Sequence, residues 1–151
     1  MKISKYGTFG IHQEWVDMFL TSPETFWDDK LLGVKQIPSF KTWLKDAGII
    51  DEAAKLTAFG ELCMEINQEN ETVLWELIYI NLANNSPLMR WFCASVDFNN
   101  EIDRKDLDRM ALEYFQQSFK ESTIKYAVQA LMQTFKYSPI GEEFMQLASQ
   151  E

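Results

Sequence analysis

The sequence predicts a mostly α protein: a winged helix-turn-helix-like N-terminal half with a small β-ribbon wing, followed by an α-helical bundle. Three observations carry this expectation. Apolar residues recur at helical spacing over nearly the whole chain. Ser-Pro pairs and Gly residues punctuate those runs where helices start and stop. One short interruption, Gly48-Ile49-Ile50 to Leu56-Thr57, has the length and apolar ends of two strands around a polar turn.

Taken in order, Ile11, Trp15, Met18 and Phe19 fall on one face of a first helix that would include His12. Ser22-Pro23 reads as a cap followed by Pro at the first helical position, opening a short helix near 23–32 that Gly33 ends. Ile37-Pro38-Ser39 opens the next helix, carrying Phe40, Trp43 and Leu44 to about residue 47, with Gly48 as its stop. The wing follows, and Thr57 is placed to cap a helix bearing Leu62, Cys63 and Ile66. Residues 72–84 are apolar on most sides, which predicts a central helix. Ser86-Pro87, Asp103, Ser122 and Ser138-Pro139 then read as caps of four further helices, the last carrying Phe144 and Leu147. The expected division is 1–68 for the winged-helix-like part and 69–151 for a helical part packed on it. Both ends are compatible with a piece of a longer protein.

Composition limits the function classes. The 151 residues are 46% apolar and 25% charged, the profile of a globular chain. A net charge of −9 argues against coating nucleic acid or anionic membrane by bulk charge. No stretch has signal-peptide character, and the most apolar run, Val73–Leu82, is interrupted by Glu76 and too short to span a bilayer. With two cysteines 30 residues apart, the expected location is cytoplasmic, with reduced thiols.

The charge is uneven. Residues 1–56 carry a net −1 and residues 57–151 a net −8. Residues 30–45 hold Lys30, Lys35, Lys41 and Lys45 and no acid. On the second helix, Lys35, Gln36, Ser39, Lys41, Thr42 and Lys45 lie off the Phe40/Trp43/Leu44 face, as a groove-reading helix would place them toward phosphates and base edges. Against DNA stand the acidic second half and the lack of any Arg before Arg90. Winged helices also serve as protein-docking modules.

Chemistry-bearing patterns are sparse. His12 is the only histidine, and neither Cys63 nor Cys93 is placed beside it in sequence, so no catalytic residue is assigned. There is no Cys-x-x-Cys, no His pair and no Gly-rich phosphate loop, so neither metal nor cofactor is expected. The run Asn99-Asn100-Glu101-Ile102-Asp103 is oxygen-rich without EF-hand spacing. The five tryptophans fall on apolar faces and read as core.

Several segments in order resemble a known family: Tyr6-Gly7-Thr8-Phe9-Gly10-Ile11-His12-Gln13-Glu14-Trp15, then Leu32-Gly33-Val34, Trp43 to Ile50, Leu56-Thr57-Ala58-Phe59-Gly60-Glu61-Leu62, and Glu71 to Trp75. The resemblance is to a domain of unknown function found with, or fused behind, phosphoadenosine phosphosulfate (PAPS) reductase-like proteins of bacterial DNA-phosphorothioation and phage-defence islands. Its motif positions match Phe9, His12, Trp15, Gly33, Gly48, Thr57 and Gly60. The family usually has Gly immediately before the His, where this chain has Ile11. The resemblance implies a non-catalytic accessory domain that docks DNA, through residues 35–45, or another defence-system protein or the rest of a longer chain. Two alternatives stand beside it: a small enzyme domain pairing His12 with a carboxylate, and a homodimerisation module marked by an exposed Trp75 or Trp91.

Overall fold

The computed structural model describes residues 2–96 and 103–144. Within them are seven α-helices: α1 (Gln13–Thr21), α2 (Gln36–Asp46), α3 (Ala58–Asn67), α4 (Glu71–Asn85), α5 (Pro87–Ser95), α6 (Arg104–Phe115) and α7 (Glu121–Tyr137). A 3₁₀ helix, Pro139–Phe144, follows α7. The mostly α expectation holds. Leu147 and residues 99–102 lie outside the described residues.

Helix starts follow side-chain chemistry. Thr57 accepts a hydrogen bond from the Gly60 amide, Asn70 from Val73, Ser86 from Met89 and Asp103 from Asp106, each satisfying an amide that the helix itself leaves unpaired. Ser122 does not cap α7, which begins one residue before it after an extended Lys120. His12 is extended and precedes α1 rather than lying in it.

Two elements of the expected winged helix are missing. The first is the helix near 23–32. There the backbone makes separate turns closed on the Ser22 and Thr25 carbonyls, and Lys30 takes a left-handed φ of 51° that halts further winding. The second is the β-ribbon. Ile50 and Leu56 form one isolated antiparallel bridge, and no strand occurs among the described residues. Asp51 explains why. Its Oδ1 accepts from the Ala53 and Lys55 amides, and its backbone pairs with Lys55, so 51–55 is consumed by a tight turn. Only residues 48–50 and 56–57 remain before helix begins on either side, too few for a ladder.

One apolar core runs from Ile3 in the N-terminal segment to Ile140 in the 3₁₀ helix. Helix α4 packs against α2, α3, α5 and the 3₁₀ helix, so it is central in its contacts. It is not buried on all sides. Leu74, Trp75, Ile78 and Leu82 face inward, while Val73 and Ile80 are exposed. The most deeply enclosed helix is α7, with eight buried residues from Ile124 to Phe135. Trp75 and Trp91 are both buried, so the exposed face expected of a homodimer is not formed by either.

The turn after α2 demands glycine twice. Gly48 takes φ +80° as the chain leaves the helix. Gly60 sits so close to the preceding turn that a Cβ would lie 2.3 Å from the Ile49 carbonyl oxygen. Gly33 has no such neighbour, its nearest being Gln36 Oε1 at 3.5 Å. Gly60→Ala is therefore expected to lower unfolding free energy by about 1–3 kcal/mol, the range for overpacking. Gly33→Ala should stay within about 0.5 kcal/mol of the parent in the same urea titration.

Candidate functional site

The N-terminal segment 3–12 crosses the molecule and supplies most of the polar contacts between its parts. Tyr6 stacks on Trp43 of α2 at 3.8 Å between ring centres. Its hydroxyl lies 2.5 Å from both Asp46 Oδ2 and Ser86 Oγ. A carboxylate only accepts, so the phenol proton points to Asp46. Burial, then the Asp46 charge, push the Tyr6 phenol well above its ordinary range, so it stays protonated. Lys5 Nζ reaches the same carboxylate at 2.9 Å. Asp46 is an acid at the C-terminal end of α2, where the helix dipole disfavours it, and Lys5 and Tyr6 offset that cost. Asn85 and Asn81 of α4 donate to the carbonyls of Asp46 and Ala47, closing the end of α2 onto α4.

Further along the segment, the Phe9 carbonyl accepts from Trp43 Nε1 at 2.9 Å and from Ser39 Oγ at 3.3 Å. The Gly10 and Ile11 amides donate to Gln133 Oε1 and Thr134 Oγ1 of α7. This approach is tight, since a Cβ on Gly10 would lie 2.2 Å from the Thr134 amide nitrogen. His12 is then sandwiched between two rings. Trp15 lies 3.8 Å away at 5° between planes, and Tyr137 lies 4.4 Å away at 9°. Its Nε2 lies 3.5 Å from Gln133 Oε1. Burial holds the His12 pKa below its usual value, against smaller opposite pulls from Gln133 and Glu14. Phe9, His12 and Trp15 thus form one aromatic cluster, with Phe9 and Trp15 6.5 Å apart.

His12 has the Gln133 side-chain amide as its hydrogen-bond neighbour, and the Glu14 carboxylate acts on it through its charge. Cys63 is buried and its thiol is pushed up to about 12, while Cys93 is raised by burial and lies 3.3 Å from the Tyr79 hydroxyl. Among the described residues no group of three His, Cys, Asp or Glu side chains could hold a metal, and no helix is long and apolar enough to cross a membrane.

The six residues expected to face a partner from α2 are largely engaged within the fold. Ser39 is buried against Phe9. Thr42 donates to the Pro38 carbonyl, and Gln36 Oε1 accepts from the Gly33 amide. Lys41 places its ammonium 4.8 Å from the Trp27 ring centre, and Lys45 lies 3.7 Å from Glu52. Lys35 is exposed, as is Lys30, and neither forms an ion pair among the described residues.

Two surface grooves lie near these residues. One, of about 560 Å³, lies between the N-terminal segment and the start of α2, with Lys5, Phe9, Val34, Lys35, Pro38 and Tyr126 in its walls. The other, of about 700 Å³, lies between the 22–30 turns, the 51–55 turn and α3. In the wall of the first, Val34 is 88% exposed, and Leu31, three residues earlier in the chain, is 52% exposed; helical periodicity did not mark either because they precede α2. Tyr6, Asp46, Gln133 and Tyr137 also escaped notice as partners, being joined only across 40 or more residues.

No protein-family model, curated protein or solved structure matches the chain.

Two outcomes follow for the N-terminal segment. Tyr6→Phe removes the hydroxyl from Asp46 and Ser86 while keeping the ring, and should cost about 1–3 kcal/mol in chemical denaturation. His12 is the acid-sensitive group: the unfolded chain takes up its proton near 6.5, the folded chain only at lower pH. Its contribution is then complete above pH 6.5 and lost as pH falls below it. His12→Gln should flatten this part of the stability-against-pH curve, and an NMR titration should place the His12 midpoint below that of the unfolded chain. A midpoint at or above the unfolded value would contradict the assignment.

Proposed function

We propose that this chain is a non-catalytic accessory domain that docks a protein partner, a PAPS reductase-like protein of a DNA-modification and defence system. The motif resemblance supports the choice of partner. The observation that carries docking is the exposed Val34 in the wall of the groove at the start of α2, with Leu31 also exposed three residues earlier. An exposed valine in a groove wall is apolar surface that a docked partner would cover. His12, held between two rings with an amide as its hydrogen-bond neighbour, speaks for packing over acid–base work.

DNA docking is the second reading, and one observation favours it. Lys30 and Lys35 stay exposed, Lys35 in the wall of the same groove, within the acid-free run 30–45. The engagement of Lys41 and Lys45 by Trp27 and Glu52 lowers what α2 can offer to phosphates.

Calorimetric titration with the reductase-like protein decides the first reading. Saturable binding, weakened about tenfold by Leu31→Glu with Val34→Glu at unchanged fold, is the expected result. The DNA arm is fluorescence anisotropy on short duplexes, with and without phosphorothioate linkages, across a salt series. Salt-sensitive binding that is lost on Lys30→Glu with Lys35→Glu would move the assignment to DNA. Failure of both partners at tens of micromolar, on the order expected for weak docking, would overturn it.

A further inference from the structure

We propose that the groove between the 22–30 turns, the 51–55 turn and α3 binds a basic peptide segment of a protein partner, taking lysine or arginine side chains. This groove shares no lining residue with the one beside Val34, so each assignment can fail without the other.

The floor and rim differ in character. Phe19, Trp27, Leu56 and Met64 supply an apolar floor. Glu24 stands on the turn wall and Glu61 and Glu65 on the α3 wall, against Lys55 in the lining and the Lys41 ammonium over the Trp27 ring. Among the described residues none of these three carboxylates is in an ion pair. Glu61 and Glu65 are one helical turn apart, a like-charge spacing that disfavours the helix until a cation lies between them. Lysine and arginine fit such a place because their aliphatic stems cover apolar surface while their heads reach carboxylates.

Charge sign excludes nucleic acid from this groove, since phosphates would meet three carboxylates. The size argues for a chain over a lone amine. About 700 Å³ exceeds what one basic side chain fills, and acids on both walls reward cations spaced along a backbone. The floor is set in advance: Trp27 packs on Phe19, Phe26 and Phe40 and carries the Lys41 ammonium over its ring. Pre-ordering of this kind lowers the entropy lost on binding.

The test uses the full chain, ¹⁵N-labelled, and a hexapeptide of alternating leucine and arginine as probe. Saturable shifts are expected at the Trp27 indole N–H and at the amides of Lys55, Leu56, Met64 and Glu65. Affinity by anisotropy should fall about tenfold in Glu61→Lys with Glu65→Lys, and should weaken with salt. Glu61→Gln with Glu65→Gln should show a smaller loss in the same direction, which guards against misfolding of the reversal variant. The matching leucine–glutamate peptide should not bind. Absence of saturable shifts in the groove, or affinity indifferent to both variant pairs, would overturn the proposal. Displacement of the peptide by spermidine at equal concentration would also overturn it, in favour of a small-amine site.

Discussion

The fold depends on how an N-terminal segment outside any helix or strand satisfies its own backbone. Residues 3–12 run across α2 and α7 and have no sheet to join. A buried amide or carbonyl left unpaired costs as much as a lost hydrogen bond, so every such group needs a partner. Turns within the segment pair the Gly7 and Phe9 amides with the Ser4 and Tyr6 carbonyls, and side chains provide further partners: Trp43 and Ser39 for the Phe9 carbonyl, Gln133 for Gly10 and Thr134 for Ile11. The Tyr6 hydroxyl joins the same system to the end of α2 and the start of α5. Loss of this segment would leave donors and acceptors on three helices unpaired at once, which makes the contacts mutually dependent rather than additive.

That dependence also explains what could be read from the sequence. Caps are local: a hydroxyl or carboxylate bonds an amide two or three residues on, so Thr57, Ser86 and Asp103 were legible without a structure. The wing was not, although its apolar ends are real. Ile50 and Leu56 do pair, but the Asp51 side chain closes a turn that leaves one bridge where a ribbon was expected. The 22–30 region failed for a non-local reason. Phe26 and Trp27 both pack into the aromatic group around Phe19 and Phe40, and a chain that turns between them serves that packing better than a regular helix. Tertiary contact outweighed the Ser22-Pro23 start signal.

The same distinction applies to the surface. Periodicity correctly set Phe40, Trp43 and Leu44 inward on α2. It assigned the remaining residues outward by default, yet Ser39 is buried because the N-terminal segment lies over that side. Lys41 and Lys45 could not be read as engaged, since Trp27 and Glu52 reach them through loops. His12 was singled out by type alone. Its environment comes from Trp15 one turn away and from Tyr137, 125 positions later, and only the first of these was within reach of local reasoning.

Charge is placed on this molecule with more purpose than its net −9 suggests. The groove beside Val34 has Lys35 in its walls together with Lys5, which is paired with Asp46, whereas the groove beside α3 has three carboxylates and Lys55. An overall negative field slows the approach of any acidic partner, while a local patch of either sign can still orient one once it arrives. On the proposed assignments, two grooves of different lining charge would sort partners by charge. An apolar floor beneath each rim then supplies the area that surface charges alone do not convert into affinity. That division of labour is what a domain needs if its task is to hold macromolecules in place while the chemistry is done elsewhere.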